Sequence, residues 1–92
     1  MAVRRCRIRV TGHVQGVGFR FFAVREAQQL GLTGGVRNCG DGAVEAEAQG
    51  EGELVELLVS ALRRGPSFGR VDEVLSADME RVKGEMGFVV RH

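Results

Sequence analysis

The segment from Gly12 to Arg20 constrains this chain more than any other part of its sequence. It contains three glycines and ends in an arginine, and a helical pattern follows it. Glycines adopt positive φ angles without steric cost, so such a loop can turn successive backbone N–H groups inward around an anion. The planar guanidinium of Arg20 matches two phosphate oxygens at once, and the N-terminus of a helix adds further attraction for negative charge. The segment therefore predicts a phosphate-binding loop.

This predicted loop does not fit the common nucleotide-binding motifs. A Walker A loop needs Lys-Ser or Lys-Thr after its last glycine, whereas Phe19 and Arg20 follow Gly18. The dinucleotide-binding motif requires a third glycine, and Phe21 occupies that position here. We predict instead that backbone N–H groups hold the phosphate, namely those of Gln15, Gly16, Val17, Gly18, Phe19 and Arg20.

Two motifs, in the right order, resemble the signatures of the acylphosphatase family. The segment Gly12–Arg20 closely resembles the first signature. The second is resembled by Gly34–Asn38, followed by Gly42, Val44 and Gly50. The resemblance runs through the whole chain. It implies a small free-standing acylphosphatase with a single domain over residues 1–92.

Arg20 and Asn38 are the candidate catalytic residues. Phosphoryl transfer spreads negative charge over the phosphoryl oxygens, so fixed backbone donors and one arginine supply most of the catalysis, without a metal or another cofactor. An asparagine can orient a water but cannot take its proton at neutral pH. The resemblance implies that Arg20 binds phosphate and that Asn38, facing the phosphate loop, positions the water. It also implies the substrate, a small acyl phosphate that is hydrolysed to a carboxylate and inorganic phosphate.

Gly35 departs from the family pattern, in which an aromatic residue usually stands two positions before the arginine or lysine of the second motif. Glycine costs roughly 0.5–1 kcal/mol in a strand interior and leaves space to fill. We therefore expect a looser second strand near Asn38, with a larger effect on the level of activity than on the mechanism.

Hydrophobic periodicity predicts two helices among five strands. Cys6, Ile8 and Val10 alternate with arginines, which predicts a first strand with one buried and one solvated face. A helix follows from about Phe21 and ends at Gly31. The remaining predicted elements are a hairpin of strands 33–38 and 43–49, an amphipathic helix that opens at Glu51 and Glu53 and carries Leu54, Leu57, Leu58, Ala61 and Leu62 before Gly65, a strand 71–79 on which Leu75, Ala77 and Met79 alternate, and a short strand 88–91.

This order of elements predicts an α+β, ferredoxin-like split βαβ fold, βαββαβ with a small terminal strand. The sheet is expected to be mostly antiparallel with both helices on one face. Right-handed crossovers lead us to expect the second strand beside the first. The fold hosts many unrelated functions, so it does not name one by itself.

Two alternatives remain open at this point. The first is a non-catalytic ferredoxin-like module that binds RNA or a protein partner, for which Arg5, Arg7 and Arg9 offer a basic stripe. Glu45 and Glu47 would cancel that stripe by cross-strand pairing if they share its face. The second keeps the site but changes the acyl phosphate to carbamoyl phosphate.

Composition limits the partners and the compartment. Thirteen basic and twelve acidic residues give a net charge of +1, which argues against long-range attraction to nucleic acid or to an anionic membrane. No apolar run approaches the ~20 residues that a membrane span needs, and no Cys/His cluster has metal-ligand spacing. Cys6 and Cys39 come without a secretion signal, so we interpret both as free thiols in a cytoplasmic protein. We expect a monomer.

Three further features have structural interpretations. His13 is a candidate general base, but we interpret it as a solvated loop histidine. Cys39 is next to Asn38, yet it lies outside the phosphate loop where a cysteine nucleophile would be needed. The phenylalanines at positions 19, 21 and 22 are predicted to belong to the core rather than to a base-stacking platform.

Overall fold

The computed structural model describes residues 2–92, and these form five strands and two helices. In chain order the elements are β1 (Val3–His13), α1 (Phe19–Gln29), β2 (Thr33–Asn38), β3 (Val44–Glu51), α2 (Gly52–Arg64), β4 (Arg70–Met79) and β5 (Phe88–Val90). The sheet order is β4-β1-β3-β2-β5, with every pair antiparallel except β2 and β5. This architecture confirms the predicted α+β ferredoxin-like fold. Across residues 2–92, neither helix has the length and apolar character needed to span a membrane.

The expectation that β2 lies beside β1 is wrong, because β3 lies between them. Ala46 of β3 pairs with Ile8 of β1 on one side and with Val36 of β2 on the other. In a split βαβ unit the antiparallel strand of the hairpin inserts between the two parallel strands. β1 and β2 consequently run in the same direction although they do not touch.

The helices cover one face of the sheet and enclose the core. In α1, Phe19, Ala23 and Ala27 are buried at a spacing of four residues, which aligns them on one side of the helix. Phe21 is 71% exposed, so its predicted place in the core is wrong. Two residues correspond to about 200° of rotation along a helix, so Phe21 points away from the core that Phe19 enters.

Two other apolar patterns identify their elements correctly but not every buried residue. In α2, Leu57 is exposed, and Val55 and Val59 are buried together with Leu58. In β4, Val74 is the buried residue. The alternating residues predicted there lie on the face opposite the helices, namely Leu75, Ala77 and Met79.

The face of the sheet opposite the helices carries paired charges. The register places Glu47 opposite Arg7 and Glu45 opposite Arg9, so the acidic residues do share the face of the arginines. Arg5 is only 2% exposed, contrary to the expected solvated face. The reason is that the segment between β4 and β5 folds over it, where Glu85 accepts hydrogen bonds of 2.8 and 3.1 Å from Arg5.

Gly35 leaves no gap in this face, because the side chain of Arg91 lies across it. A Cβ atom at position 35 would lie 2.5 Å from Nε and 2.9 Å from Cδ of Arg91. The guanidinium of Arg91 then reaches Glu85 at 3.1 Å and Glu47 at 3.7 Å. In this chain an arginine stem takes the space of the usual aromatic residue, so the expected loosening of β2 for lack of filling is not seen.

Candidate active site

The sheet topology brings three strand ends together. β1 and β2 are both antiparallel to β3, and β5 is parallel to β2, so the carboxyl ends of β1, β2 and β5 lie at one edge of the sheet. The predicted phosphate loop follows β1, and Asn38 ends β2. Ligands bind outside the carboxyl ends of parallel strands in many α/β proteins, so we expect a ligand site at this edge.

A cavity of about 340 Å³ opens at this edge. It is lined by Val14, Gly16, Gly18, Phe19, Arg20, Phe21, Val24, Asn38, Val90 and His92. The structure therefore brings together both predicted catalytic residues, Arg20 and Asn38, and three predicted residues of the loop. Gln15 and Val17 belong to the same loop but do not line the cavity.

Two glycines give the predicted phosphate loop its shape. Gly16 and Gly18 both have φ near 78°, a left-handed conformation that side chains disfavour. A Cβ atom would meet nothing within 4 Å at either position, so the requirement is backbone conformation rather than space. These reversals turn the chain sharply between β1 and α1, and both glycines line the cavity.

The N-terminus of α1 is open toward this cavity. The N–H of Phe22 donates to the carbonyl of Gly18 at 3.0 Å, while the N–H groups of the first helical turn precede any intrahelical partner. Within the described chain, α1 has no side-chain cap and no acidic residue in its first turn. The helix begins at Phe19 rather than near Phe21 as predicted, because left-handed Gly18 supplies the residue before it. Its positive end is therefore available to an anion.

Arg20 is the second residue of α1 and carries an unpaired charge. Across residues 2–92 its guanidinium makes no ion pair and no hydrogen bond. The arginines that do form ion pairs are Arg4, Arg5, Arg9, Arg37, Arg70 and Arg91. A half-buried guanidinium in a cavity without a carboxylate partner is suited to bind an anionic ligand.

Asn38 faces the cavity because of strand alternation. It pairs with Val44, which is buried beneath the helices, so its side chain leaves β2 on the helix side. Its neighbour Arg37 leaves on the opposite side, where it pairs with Glu45 at 3.1 Å. The amide of Asn38 thus lies on the same side of the sheet as the phosphate loop and Arg20.

The side chain of Gln15 ties the phosphate loop to the hairpin that carries Asn38. Its Nε2 donates to the carbonyls of Cys39 at 2.8 Å and Ala43 at 2.9 Å. Arg9 of β1 also donates a hydrogen bond to Asp41 at the tip of this hairpin. The sequence predicts only a backbone role for Gln15. It does not predict these two side-chain hydrogen bonds, which we call the Gln15 clamp. A single long amide among small and apolar loop residues is the signal that points to it.

Two other candidates lie outside the cavity. His13, at the end of β1, is exposed, and neither it nor Cys39 lines the cavity. The described residues 2–92 contain no group of three or more His, Cys, Asp or Glu side chains placed to hold a metal ion. The sequence does not predict that Val90 and His92 line the cavity. Their position depends on the parallel pairing of β5 with β2, which no local sequence pattern indicates.

Comparison with known proteins bears on this geometry. The family model described as acylphosphatase matches residues 6–90. The chain belongs to the acylphosphatase family. An acylphosphatase of Anaeromyxobacter sp. is 51% identical over 89 residues, which cover 96% of this chain and 95% of that protein. An acylphosphatase of Bifidobacterium longum is 53% identical over 75 residues, which cover 82% and 77% respectively.

A solved structure of an acylphosphatase agrees with these relatives. The crystal structure of acylphosphatase from Bacillus subtilis superimposes with a TM-score of 0.92 at 34% identity, over 99% of this chain and 100% of that one. The family predicted from the two motifs is confirmed. The chain is accordingly an enzyme of the acylphosphatase type, and the alternative of a non-catalytic RNA- or protein-binding module is not favoured.

Proposed function

We propose that this acylphosphatase hydrolyses acyl phosphates to a carboxylate and inorganic phosphate without a metal or another cofactor. The observation that carries the proposal is the cavity in which the open N-terminus of α1, the unpaired Arg20 and the amide of Asn38 meet. The relatives are named for the same activity.

In this proposal the phosphate group occupies the phosphate loop. Its oxygens accept hydrogen bonds from the backbone N–H groups between Gln15 and Arg20, and the guanidinium of Arg20 binds two of them. These donors are fixed before the substrate arrives, so little reorganisation accompanies the build-up of charge in the transition state. The helix dipole adds to the same stabilisation.

Asn38 orients the attacking water in the proposed reaction. The water oxygen forms a bond to phosphorus while the bond from phosphorus to the acyl oxygen breaks and leaves a carboxylate. Asparagine cannot accept the proton of the water, so that proton passes to an oxygen of the phosphate. The products are the carboxylate and dihydrogen phosphate. A carboxylate is a good leaving group, so no general acid is required in the site.

The chain is further proposed to act as a cytoplasmic monomer that forms one domain over residues 1–92. Its partner is then the small-molecule substrate, with no nucleic acid or membrane partner. The net charge of +1 and the pairing of Arg5 and Arg9 with acidic side chains support this proposal. Sedimentation equilibrium at several protein concentrations tests the monomer, since a mass that rises with concentration contradicts it.

The direct test is the hydrolysis of benzoyl phosphate in the presence of EDTA, followed by ultraviolet absorbance. We expect turnover by the wild-type protein and a loss of both turnover and phosphate binding in Arg20→Ala. The matched control is Arg25→Ala, which removes an exposed arginine of the same helix that does not line the cavity. Turnover that requires an added metal, or that survives in Arg20→Ala, would contradict the proposal.

Asn38→Ala separates water positioning from phosphate binding. We expect kcat to fall by about 10²-fold or more, since the variant removes a group that positions the reacting water. The dissociation constant of inorganic phosphate, measured by calorimetry, should stay close to that of the wild type because Arg20 and the loop remain. A wild-type kcat in this variant would rule out the role assigned to Asn38.

A further inference from the structure

An exposed aromatic ring stands directly beside the proposed phosphate site. Phe21 is 71% exposed and lines the cavity, although it follows Arg20 in the first turn of α1. Large apolar side chains that remain exposed next to a polar site commonly mark a surface that binds a ligand. The orientation of Phe21 away from the core leaves its ring available to whatever group is attached to the phosphate.

Two further apolar side chains line the same cavity. Val90 leaves β5 on the helix side and is 39% exposed, and Val24 of α1 is half-buried in the same cavity. Phe21 and Val24 come from the helix, whereas Val90 comes from the edge strand. We call these three side chains the apolar wall. It lines the same cavity as Arg20 and Asn38, so a group attached to the bound phosphate has apolar side chains within its reach.

The cavity is lined by two side chains that can carry positive charge, the guanidinium of Arg20 and the imidazole of His92. Among the described residues that line it, Arg20 is the only arginine or lysine, and no aspartate or glutamate is present. Once a phosphate occupies Arg20, no second arginine or lysine of this lining remains for another anionic group of the substrate. An ammonium group would likewise find no aspartate or glutamate side chain in the lining. Desolvating either charge against the apolar wall is unfavourable.

From these observations we infer that the apolar wall of Phe21, Val24 and Val90 binds the acyl group, and that the enzyme prefers acyl phosphates with uncharged, apolar acyl groups. This inference rests on the proposed function and adds the substrate class to it. The volume of about 340 Å³ falls within the range of small-ligand sites, which begins near 300 Å³. An aromatic acyl group has its largest apolar contact with the ring of Phe21.

The test compares three substrates that share the acyl phosphate group, namely acetyl phosphate, benzoyl phosphate and 4-carboxybenzoyl phosphate. The last two differ by a single carboxylate at the far end of the ring. We expect the wild-type enzyme to have a kcat/KM for benzoyl phosphate about tenfold or more above that for the carboxylated analogue, because its added charge meets no second arginine or lysine in the cavity.

Variants then assign the preference to the wall. Phe21→Ala should lower the ratio of kcat/KM for benzoyl over acetyl phosphate about tenfold, and Val90→Ser should lower it in the same direction by less. Phe68→Ala is the matched control, since Phe68 is 86% exposed but does not line the cavity. It should leave the ratio unchanged.

The outcomes distinguish this inference from the proposed function. If acetyl phosphate is hydrolysed but the benzoyl-to-acetyl ratio is the same in wild type, Phe21→Ala and Val90→Ser, the apolar wall does not bind the acyl group and the inference is overturned alone. Equal use of benzoyl and 4-carboxybenzoyl phosphate overturns the claimed substrate class. If the wild-type protein hydrolyses none of the three, the proposed function fails and this inference fails with it.

Discussion

The two helices of this protein begin in opposite ways. α2 has Glu53 at its second position and Arg63 and Arg64 in its last turn, so its own side chains neutralise both ends of the helix dipole. α1 has Arg20 at its second position, and in the described structure it has no acidic residue in its first turn and no basic residue in its last. α2 thus balances the charges of its own ends, whereas α1 leaves its positive end without an acidic side chain.

The same contrast separates two arginines. Arg5 is buried and donates hydrogen bonds to Glu47 at 2.9 Å, Gln49 at 3.2 Å and Glu85 at 2.8 Å. Arg20 lines the cavity and has no such partner among residues 2–92. A paired charge holds parts of the chain together, while an unpaired one retains its capacity to bind phosphate.

Arg20→Glu places an acidic residue at the second position of α1, as Glu53 is in α2, and should have the largest effect. We expect kcat/KM for benzoyl phosphate to fall by about 10³-fold or more, because the variant replaces the proposed phosphate-binding cation with an anion. The free energy of unfolding in urea should not decrease, since a carboxylate at a helix N-terminus is favourable by about 0.5 kcal/mol. A loss of stability that parallels the loss of activity would show that Arg20 has a structural role instead.

Gln15→Ala tests whether the two side-chain hydrogen bonds of Gln15 hold the loop before α1 against the hairpin that carries Asn38. The variant removes two hydrogen bonds, so we expect the free energy of unfolding to fall by about 2 kcal/mol. Because the loop and the hairpin are then free to move apart, kcat should fall about tenfold. Gln29→Ala, which removes an exposed amide at the end of α1, is the control for both measurements. An unchanged kcat in Gln15→Ala would mean that the clamp does not position the site.

Glu85→Gln tests the paired arginine through its dependence on pH. The hydrogen bond from Arg5 lowers the pKa of Glu85 below its ordinary value of 4.5, and this outweighs the opposing effect of burial. A carboxyl whose pKa is lower in the folded protein stabilises the fold above its unfolded pKa, and this contribution disappears as the pH falls through the folded pKa. The stabilisation is therefore complete near neutral pH and absent in acid.

Urea unfolding of the wild type and Glu85→Gln between pH 3 and pH 7 measures this contribution. We expect the wild type to be more stable by about 2 kcal/mol at neutral pH, and the difference to shrink below the unfolded pKa. Glu80→Gln, at an exposed position of the same segment, is the control. A difference that grows toward acid pH would contradict the assignment.

Glu53→Arg is the reciprocal of the first variant and should have the smallest effect. It places a positive charge at the positive end of α2, which we expect to cost about 1 kcal/mol of unfolding free energy. Turnover of benzoyl phosphate should not change, because α2 begins at the opposite end of the sheet from the cavity. A large change in kcat/KM would contradict the separation of roles between the two helices.

The fold could be predicted from the sequence only where an element leaves a short-range pattern of apolar residues. The alternation in β1 and the spacing of Phe19, Ala23 and Ala27 identify a strand and a helix from short-range periodicity. The burial of Arg5 could not be predicted in this way, because it depends on Glu85, eighty residues further along the chain. The filling of the space at Gly35 by Arg91 has the same long-range origin.

The candidate site shows a similar division. The glycine pattern and Arg20 suggest a phosphate loop directly, since backbone conformation and a bidentate cation are local properties. Helical periodicity excludes Phe21 from the core that Phe19 enters, but it does not define whether the side of the helix that carries Phe21 meets a cavity. Val90 enters the cavity only through the parallel pairing of β5 with β2, which no short stretch of sequence encodes.

The most direct test of the contrast between the helix beginnings is a titration of the wild-type protein with inorganic phosphate, followed by the ¹H and ¹⁵N shifts of the backbone amides. We predict that the largest shift changes occur at residues 15–20, with a smaller change at Asn38, and that Arg20→Glu abolishes them. The amides at the start of α2, residues 52–55, should not respond. Changes of equal size at both helix beginnings, or none at residues 15–20, would contradict the account.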